Sequence, residues 1–181
     1  MKNFLSTVIT STVTIFALTA SSAYAQNTFK DHEKLYQTLE EVGVTVAVNS
    51  KLHCTGKNDG VYYPHIGLLV ICQDDMVSYG KQEKWTANDL DTLRHEAHHV
   101  VQDCAAESLG DGILSTLFPE DELVEFLKSS SVSLEKLQGL YSMLDKQGLS
   151  ELKIQQELEA YVVARDVSAS SIEQKIRQFC F

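Results

Sequence analysis

Basic residues, prolines and closely spaced cysteines are what this chain has little of. Fifteen Lys and Arg stand against 25 Asp and Glu, for a net charge of −10. No run of Lys or Arg occurs, so nothing in the chain is built to neutralise a phosphate backbone, and nucleic acid is excluded as a default partner. A strongly anionic membrane surface is disfavoured for the same reason. The four cysteines include no C-x-x-C pair, which removes the usual framework of a cysteine-based zinc site. Only two prolines occur, with no repeat, low-complexity segment or linker. With 44% hydrophobic and 22% charged residues over 181 positions, the chain has the balance and length of one folded domain.

Acidic residues are missing altogether before Asp31. Lys2, the uncharged stretch from Phe4 to Ala20, and Ala23-Tyr24-Ala25 together read as a secretory signal peptide, residues 1–25, cleaved after Ala25. Ser6, Thr7, Thr10, Ser11, Thr12 and Thr14 dilute the apolar run below what a spanning helix prefers, so no stable membrane insertion is expected after cleavage. The remaining 26–181 keeps 14 basic and 25 acidic residues, a net of −11. Export to the periplasm or the extracellular space puts Cys54, Cys72, Cys104 and Cys180 in an oxidising compartment, where an even count implies disulfides. Four cysteines allow three pairings. Proximity favours Cys54–Cys72, flanking an expected hairpin, and Cys104–Cys180, tying the C-terminus to a central helix.

Hydrophobic periodicity predicts an α+β domain with a short β-containing front and a helical back. An amphipathic helix is expected over Phe29 to Val42, a strand over Val44 to Val48, and a turn at Asn58-Asp59-Gly60 followed by Val61-Tyr62-Tyr63. A second strand, buried or at an edge, is expected over Ile66 to Cys72, then a polar loop to Thr86 and a helix from Asn88 to about Glu107. Gly110-Asp111-Gly112 breaks that helix. Pro119 opens the next, which runs to about Lys128; Ser133 and Ser150 cap two more, and Ser170 or Ser171 caps the last.

One motif outweighs the rest. His95-Glu96-Ala97-His98-His99 fits H-E-x-x-H. On a helix, positions i and i+4 share a face with Cβ atoms about 5–6 Å apart, so His95 and His99 can grip one zinc ion. Glu96 then lies beside that face, placed to take a proton from the water that the metal activates. At 100° per residue, Leu90, Leu93, Ala97, Val100, Val101 and Cys104 form one apolar face, and His95, His99 and Gln102 gather on the opposite side. His98 is turned about 100° from the pair and is read as a surface or supporting residue, not a ligand.

A catalytic zinc takes three protein ligands and keeps a fourth position open. The helix around Gln155 to Asp166 offers Glu157 and Glu159. Glu157 shares a face with Ala160, Ala164 and Tyr161, small enough to approach the zinc helix, and is favoured; Glu159 falls nearer the polar Gln155 and Asp166. His53 and His65 are read as solvated. Tyr62, Tyr63 and Tyr161 are read as packing residues, Glu120-Asp121-Glu122 as charges suited to a helix N-terminus, and Met143 and Leu144 as a core stripe.

The pair of motifs, His95-Glu96-Ala97-His98-His99 and Glu157-Leu158-Glu159-Ala160, resembles the gluzincin metallopeptidases, in particular their small minimal forms. The likeness covers roughly residues 61–166, and Tyr161 stands where that family commonly has Asp. It implies a zincin-like fold, in which a short sheet with an edge strand, here Ile66 to Cys72, precedes the H-E-x-x-H helix and a helical C-terminal half. It also implies Zn²⁺ held by His95, His99 and Glu157, Glu96 as general base, and an endopeptidase acting on peptide or protein substrates. The alternative is an exported binding protein on the same scaffold, with a structural or vestigial zinc site.

Overall fold

The computed structural model describes residues 28–56, 58–106 and 109–181, so the expected signal peptide lies outside the described residues. Three tetrapeptides rich in Val, Tyr, Leu and Ile form the sheet: β1 (Thr45–Val48), β2 (Gly60–Tyr63) and β3 (Leu68–Ile71). Their order is β1-β3-β2, with β3 parallel to β1 and antiparallel to β2. The helices are α1 (Phe29–Glu41), α2 (Ala87–Ala105), α3 (Glu120–Ser129), α4 (Leu134–Lys146), α5 (Glu151–Asp166) and α6 (Ala169–Cys180). The class is α+β, as the periodicity predicts.

The expected edge strand is a correction. Ile66 belongs to a single 3-10 turn, Pro64–Ile66, and Gly67, at φ 56°, turns the chain into β3. β3 then runs through the centre of the sheet, where Leu69, Val70 and Ile71 are fully buried. A continuous apolar run of that kind suits a central strand better than an edge. The edge strand that passes α2 is β2.

Two apolar clusters hold the helices. The larger joins α1, the sheet, α2 and α6 through Leu35, Leu39, Leu69, Ile71, Leu93, Val100, Ile172 and Ile176. The smaller joins α4 and α5 through Leu137, Leu144, Ile154, Leu158 and Val162. Each such side chain contributes about 1.5–3 kcal/mol on burial. Because α5 serves both clusters, Val163 in the first and Val162 in the second, it packs on more than one side. Met143 is a second correction: at 48% exposure it faces solvent, while Leu144 is buried as expected.

α2 starts on a capping box. The Asp89 N–H donates to Thr86 Oγ1 at 3.1 Å, and the Thr86 N–H donates to the Asp89 carboxylate at 2.8 Å. Ser133 and Ser150 cap α4 and α5 as predicted. The last helix begins earlier than expected, capped by Ser168 and not by Ser170 or Ser171. Ser168 Oγ accepts the Ser171 N–H at 3.2 Å, and both later serines turn their hydroxyls to Ser168. In a run of serines, the one followed by the first buried apolar residue, Ala169, wins the cap.

Both disulfides take the pairing that chain proximity favours, Cys54–Cys72 and Cys104–Cys180. The second spans 76 residues and ties α6 to the end of α2. Closing a loop of that length stabilises by about 4–5 kcal/mol in the chain-entropy account. Among the described residues, no helix is long and apolar enough to cross a membrane.

A buried polar clamp joins three helices beside the H-E-x-x-H motif. Arg94 donates to the Ala164 carbonyl at 2.6 Å, meets His32 Nε2 at 2.5 Å and pairs with Asp91. The other nitrogen of His32 lies 3.1 Å from the Thr28 carbonyl, so a neutral ring satisfies both partners. Burial holds the His32 pKa down to about 4; the Arg94 charge acts in the same direction, and the Thr28 carbonyl opposes both. The folded value lies below the ordinary 6.5, so the unfolded chain takes up the proton first. Stability that is complete above pH 6.5 is therefore lost as the pH falls towards 4, by about 2–3 kcal/mol. His32→Gln, which keeps one donor and one acceptor, is expected to flatten the fall in melting temperature between those two pH values. An unchanged fall would rule out His32 as its source.

Candidate metal centre

α2 and α5 lie side by side, and the sequence-predicted ligands meet between them. His95 Nε2 is 3.1 Å from His99 Nε2. Glu157 reaches both rings from α5, one oxygen 3.3 Å from His95 Nε2 and the other 3.6 Å from His99 Nε2. Among the described residues these three form a group whose ligand atoms all lie within 4.8 Å of one another. Two ligands at about 2.0–2.1 Å from a tetrahedral zinc stand about 3.3–3.4 Å apart, so the observed separations fit that ion. Two imidazoles and one carboxylate are also a donor set that zinc accepts.

Glu157, the glutamate that the angle argument favours, is the one brought to the two histidines, and the surroundings of both glutamates differ from those expected. Glu157 is 32% exposed at the side chain and faces the histidines. Glu159, expected on a polar side, is fully buried. It accepts from His98 Nε2 at 2.7 Å, Gln102 Nε2 at 3.2 Å and the Leu117 N–H at 3.0 Å. His98 is accordingly buried rather than on the surface. The opposite, polar side of α2 is also not a solvent face: α5 covers His99 and Gln102, and β2 covers Glu96 and Asp103, so all four are buried. Periodicity records only which residues are apolar, so it cannot separate a solvated polar side from one met by partners on another helix.

Glu96 lies against β2. A Cβ on Gly60 would come 2.5 Å from Thr92 Cγ2, 3.0 Å from the Val70 carbonyl oxygen and 3.1 Å from Glu96 Cγ, so only glycine allows this approach. Burial pushes the Glu96 carboxyl above the usual range; His95 and His99 oppose that, Glu157 adds to it, and the Tyr62 backbone N–H opposes it. Burial also opposes a charge on His99, yet Glu157, Glu96 and Gln102 together lift it to about 9. Glu157 shows the reciprocal effect: burial works against its charge, but the two histidines hold it well below the usual carboxylate range. Glu157 and His99 thus each favour the charged form of the other.

A cleft of about 220 Å³ opens beside the triad, lined among others by Asp59, Asp91, His95, Glu96, Tyr161 and Arg165. Tyr161 is half-buried and carries the Arg165 guanidinium over its ring at 3.5 Å. Tyr62 is not in this cleft lining. Its hydroxyl donates to Asp103 at 2.7 Å, and burial, followed by that bond, pushes the phenol well above its usual value. His53 meets the Tyr63 hydroxyl at 3.2 Å, and His65 is exposed over Gly112; neither joins the triad. Sequence reasoning assigned no role to Arg94 or Gln102, although Gln102 stands three residues after His99 on the same face.

A family model described as a domain of unknown function (DUF8637) matches residues 4–181. No curated protein and no solved structure matches the chain.

The close approach of β2 to Glu96 gives a paired test. Gly60→Ala should destabilise by about 1–3 kcal/mol, because Thr92 and Glu96 must move in a packed interior. Gly139 sits inside α4 with nothing within 4 Å of an added Cβ, so Gly139→Ala should stabilise by about 0.5–1 kcal/mol. Denaturant unfolding of both variants checks the contrast, and a tolerated Gly60→Ala would mean that β2 does not press on the motif.

Proposed function

We propose that this chain, which belongs to the DUF8637 family, is an exported zinc-dependent metallopeptidase with a zincin-like fold. The observation that carries the reading is the convergence of His95, His99 and Glu157, from two helices, into a group of three ligand atoms within 4.8 Å of one another. Zinc bound there would supply an activated water and polarise a substrate carbonyl. His95 and His99 would hold it through Nε2, and Glu157 through its carboxylate from the neighbouring helix. Glu96, next to the first ligand and lining the same cleft, takes the proton of the attacking water and returns it to the leaving amine. Its raised pKa is the direction that this role requires. The cleft lined by His95 and Glu96 is where the peptide would reach them.

The alternative, an exported binding protein with a structural zinc, asks for a fourth protein ligand. Among the described residues, the group of potential ligands has three members. Two disulfides fit a protein working outside the cytoplasm.

Calorimetric titration should find one zinc per wild-type chain and no stoichiometric binding in His95→Ala or His99→Ala. Glu96→Gln should keep the zinc and lose at least about a hundredfold in casein hydrolysis, the scale of a lost general base. Zinc held equally by all three variants sinks the site; zinc without chelator-sensitive cleavage in the wild type returns the reading to a binding protein.

A further inference from the structure

Gln102 stands outside the ligand set, yet its side chain is completely buried and satisfied at every polar atom. Its Oε1 lies 2.8 Å from His99 Nδ1. Its Nε2 donates to the Gln156 carbonyl at 3.2 Å and to Glu159 at 3.2 Å. A carbonyl and a carboxylate both accept only, so the amide must turn its NH₂ towards them. That fixes its oxygen on the side of His99, where it requires a proton on Nδ1 and leaves Nε2, which faces His95 and Glu157, as the nitrogen available to a metal. Glu159 is itself held by His98 on α2 and by the Leu117 N–H in the loop before α3.

From this we infer that Gln102 is a positioning residue, set by Glu159 and the Gln156 carbonyl, that holds His99 in the ring orientation and tautomer needed to bind the metal. The inference rests on the metal reading above and adds to it how the second histidine is prepared. α5 then reaches the metal by two routes. Glu157 binds it directly, and two residues further on Glu159 acts through Gln102 and His99. One helix therefore sets both the carboxylate ligand and the geometry of an imidazole ligand on its neighbour, so a shift of α5 disturbs two ligands together. The bland reading is a structural tether, in which the same bonds only join α2, α5 and the 109–118 loop. It predicts losses of stability and no separate effect on the metal.

Two variants at one position separate these readings. Gln102→Met keeps the bulk and removes the acceptor for His99. Gln102→Glu keeps an acceptor for His99 but turns a carboxyl towards Glu159 and the Gln156 carbonyl, which costs stability. Zinc affinity by chelator competition and apo-protein stability by thermal unfolding are measured for both and for the wild type. Affinity is expected to fall about ten- to a hundredfold in Gln102→Met, the scale for lost orienting partners of metal-bound histidines. In Gln102→Glu it should stay within a few-fold of wild type, although that variant is the less stable of the two. A folded Gln102→Met that binds zinc as tightly as wild type overturns the proposal, and so does affinity that merely follows stability in both. If Gln102→Glu does not fold, Gln102→Met against wild type decides the matter alone. A wild-type chain that takes up no zinc sinks the metal reading, and this inference with it.

Discussion

Seven polar side chains of α2 are out of water: Asp89, Arg94, Glu96, His98, His99, Gln102 and Asp103. Each must find a partner, because an unpaired buried polar group costs about 1–3 kcal/mol by mutational measures, and a charge costs more. Much of the surrounding fold supplies those partners. β2 brings the Tyr62 hydroxyl to Asp103, α1 brings His32 to Arg94, and α5 brings the Ala164 carbonyl, Glu157 and Glu159. An apolar helix would pack the same space with less to satisfy, and such replacements are often neutral or stabilising. A central helix this polar is therefore better explained by a site than by stability, in keeping with the habit of local rules to fail at functional positions.

Both ends of that helix are fastened. At the start, the capping box is reinforced by Asp74, whose N–H donates to Asp89 and whose carboxylate receives Thr86 Oγ1 and Asn88 Nδ2. At the far end, Cys104 bonds to Cys180 on α6. α6 is fixed in turn to α1, where Arg177 reaches Glu41 at 2.7 Å and Thr38 at 2.9 Å. The exposed part of that pairing contributes little in water. The disulfide is the stronger restraint, and it acts on the helix that carries His95, Glu96 and His99. Rigid support of this kind is what a binding geometry held to within about half an ångström requires.

How much of this was legible depended on whether a residue's environment is set by its own element. The spacing of His95, Glu96 and His99 was readable because i, i+4 geometry is a property of one helix, and the cap residues Ser133 and Ser150 are equally local; Thr86, left in the preceding loop, was not read as a cap. The disulfide pairing followed from chain order, which happened to match the topology. What failed was non-local. The residues of β3 left a buried and an edge strand both open, because strand order leaves no mark on a four-residue run, and the family resemblance put it at the edge. Met143 was placed in a core because α4 has a partner on only one side, and its sequence does not say which. Gln102 went unassigned because its three partners come from His99, Gln156 and Glu159, the last two more than fifty positions away.

The two glutamates of α5 show the same limit most sharply, and they also show what chemistry adds to periodicity. α5 is packed between two apolar clusters, so it has no broad solvent side against which to measure an angle. Glu157 and Glu159, separated by two positions, point about 200° apart, yet neither direction is simply outward. On the proposed metal reading, lone pairs favour Glu157. Glu159 already accepts from His98, Gln102 and the Leu117 backbone. To ligate a metal it would have to abandon three donors, at about 1–3 kcal/mol for each one left buried and unpaired. Among the described residues Glu157 pairs with the two histidines, and it remains 32% exposed, so a cation can reach it without breaking a buried backbone contact. The carboxylate free to bind is the one the fold has not already filled.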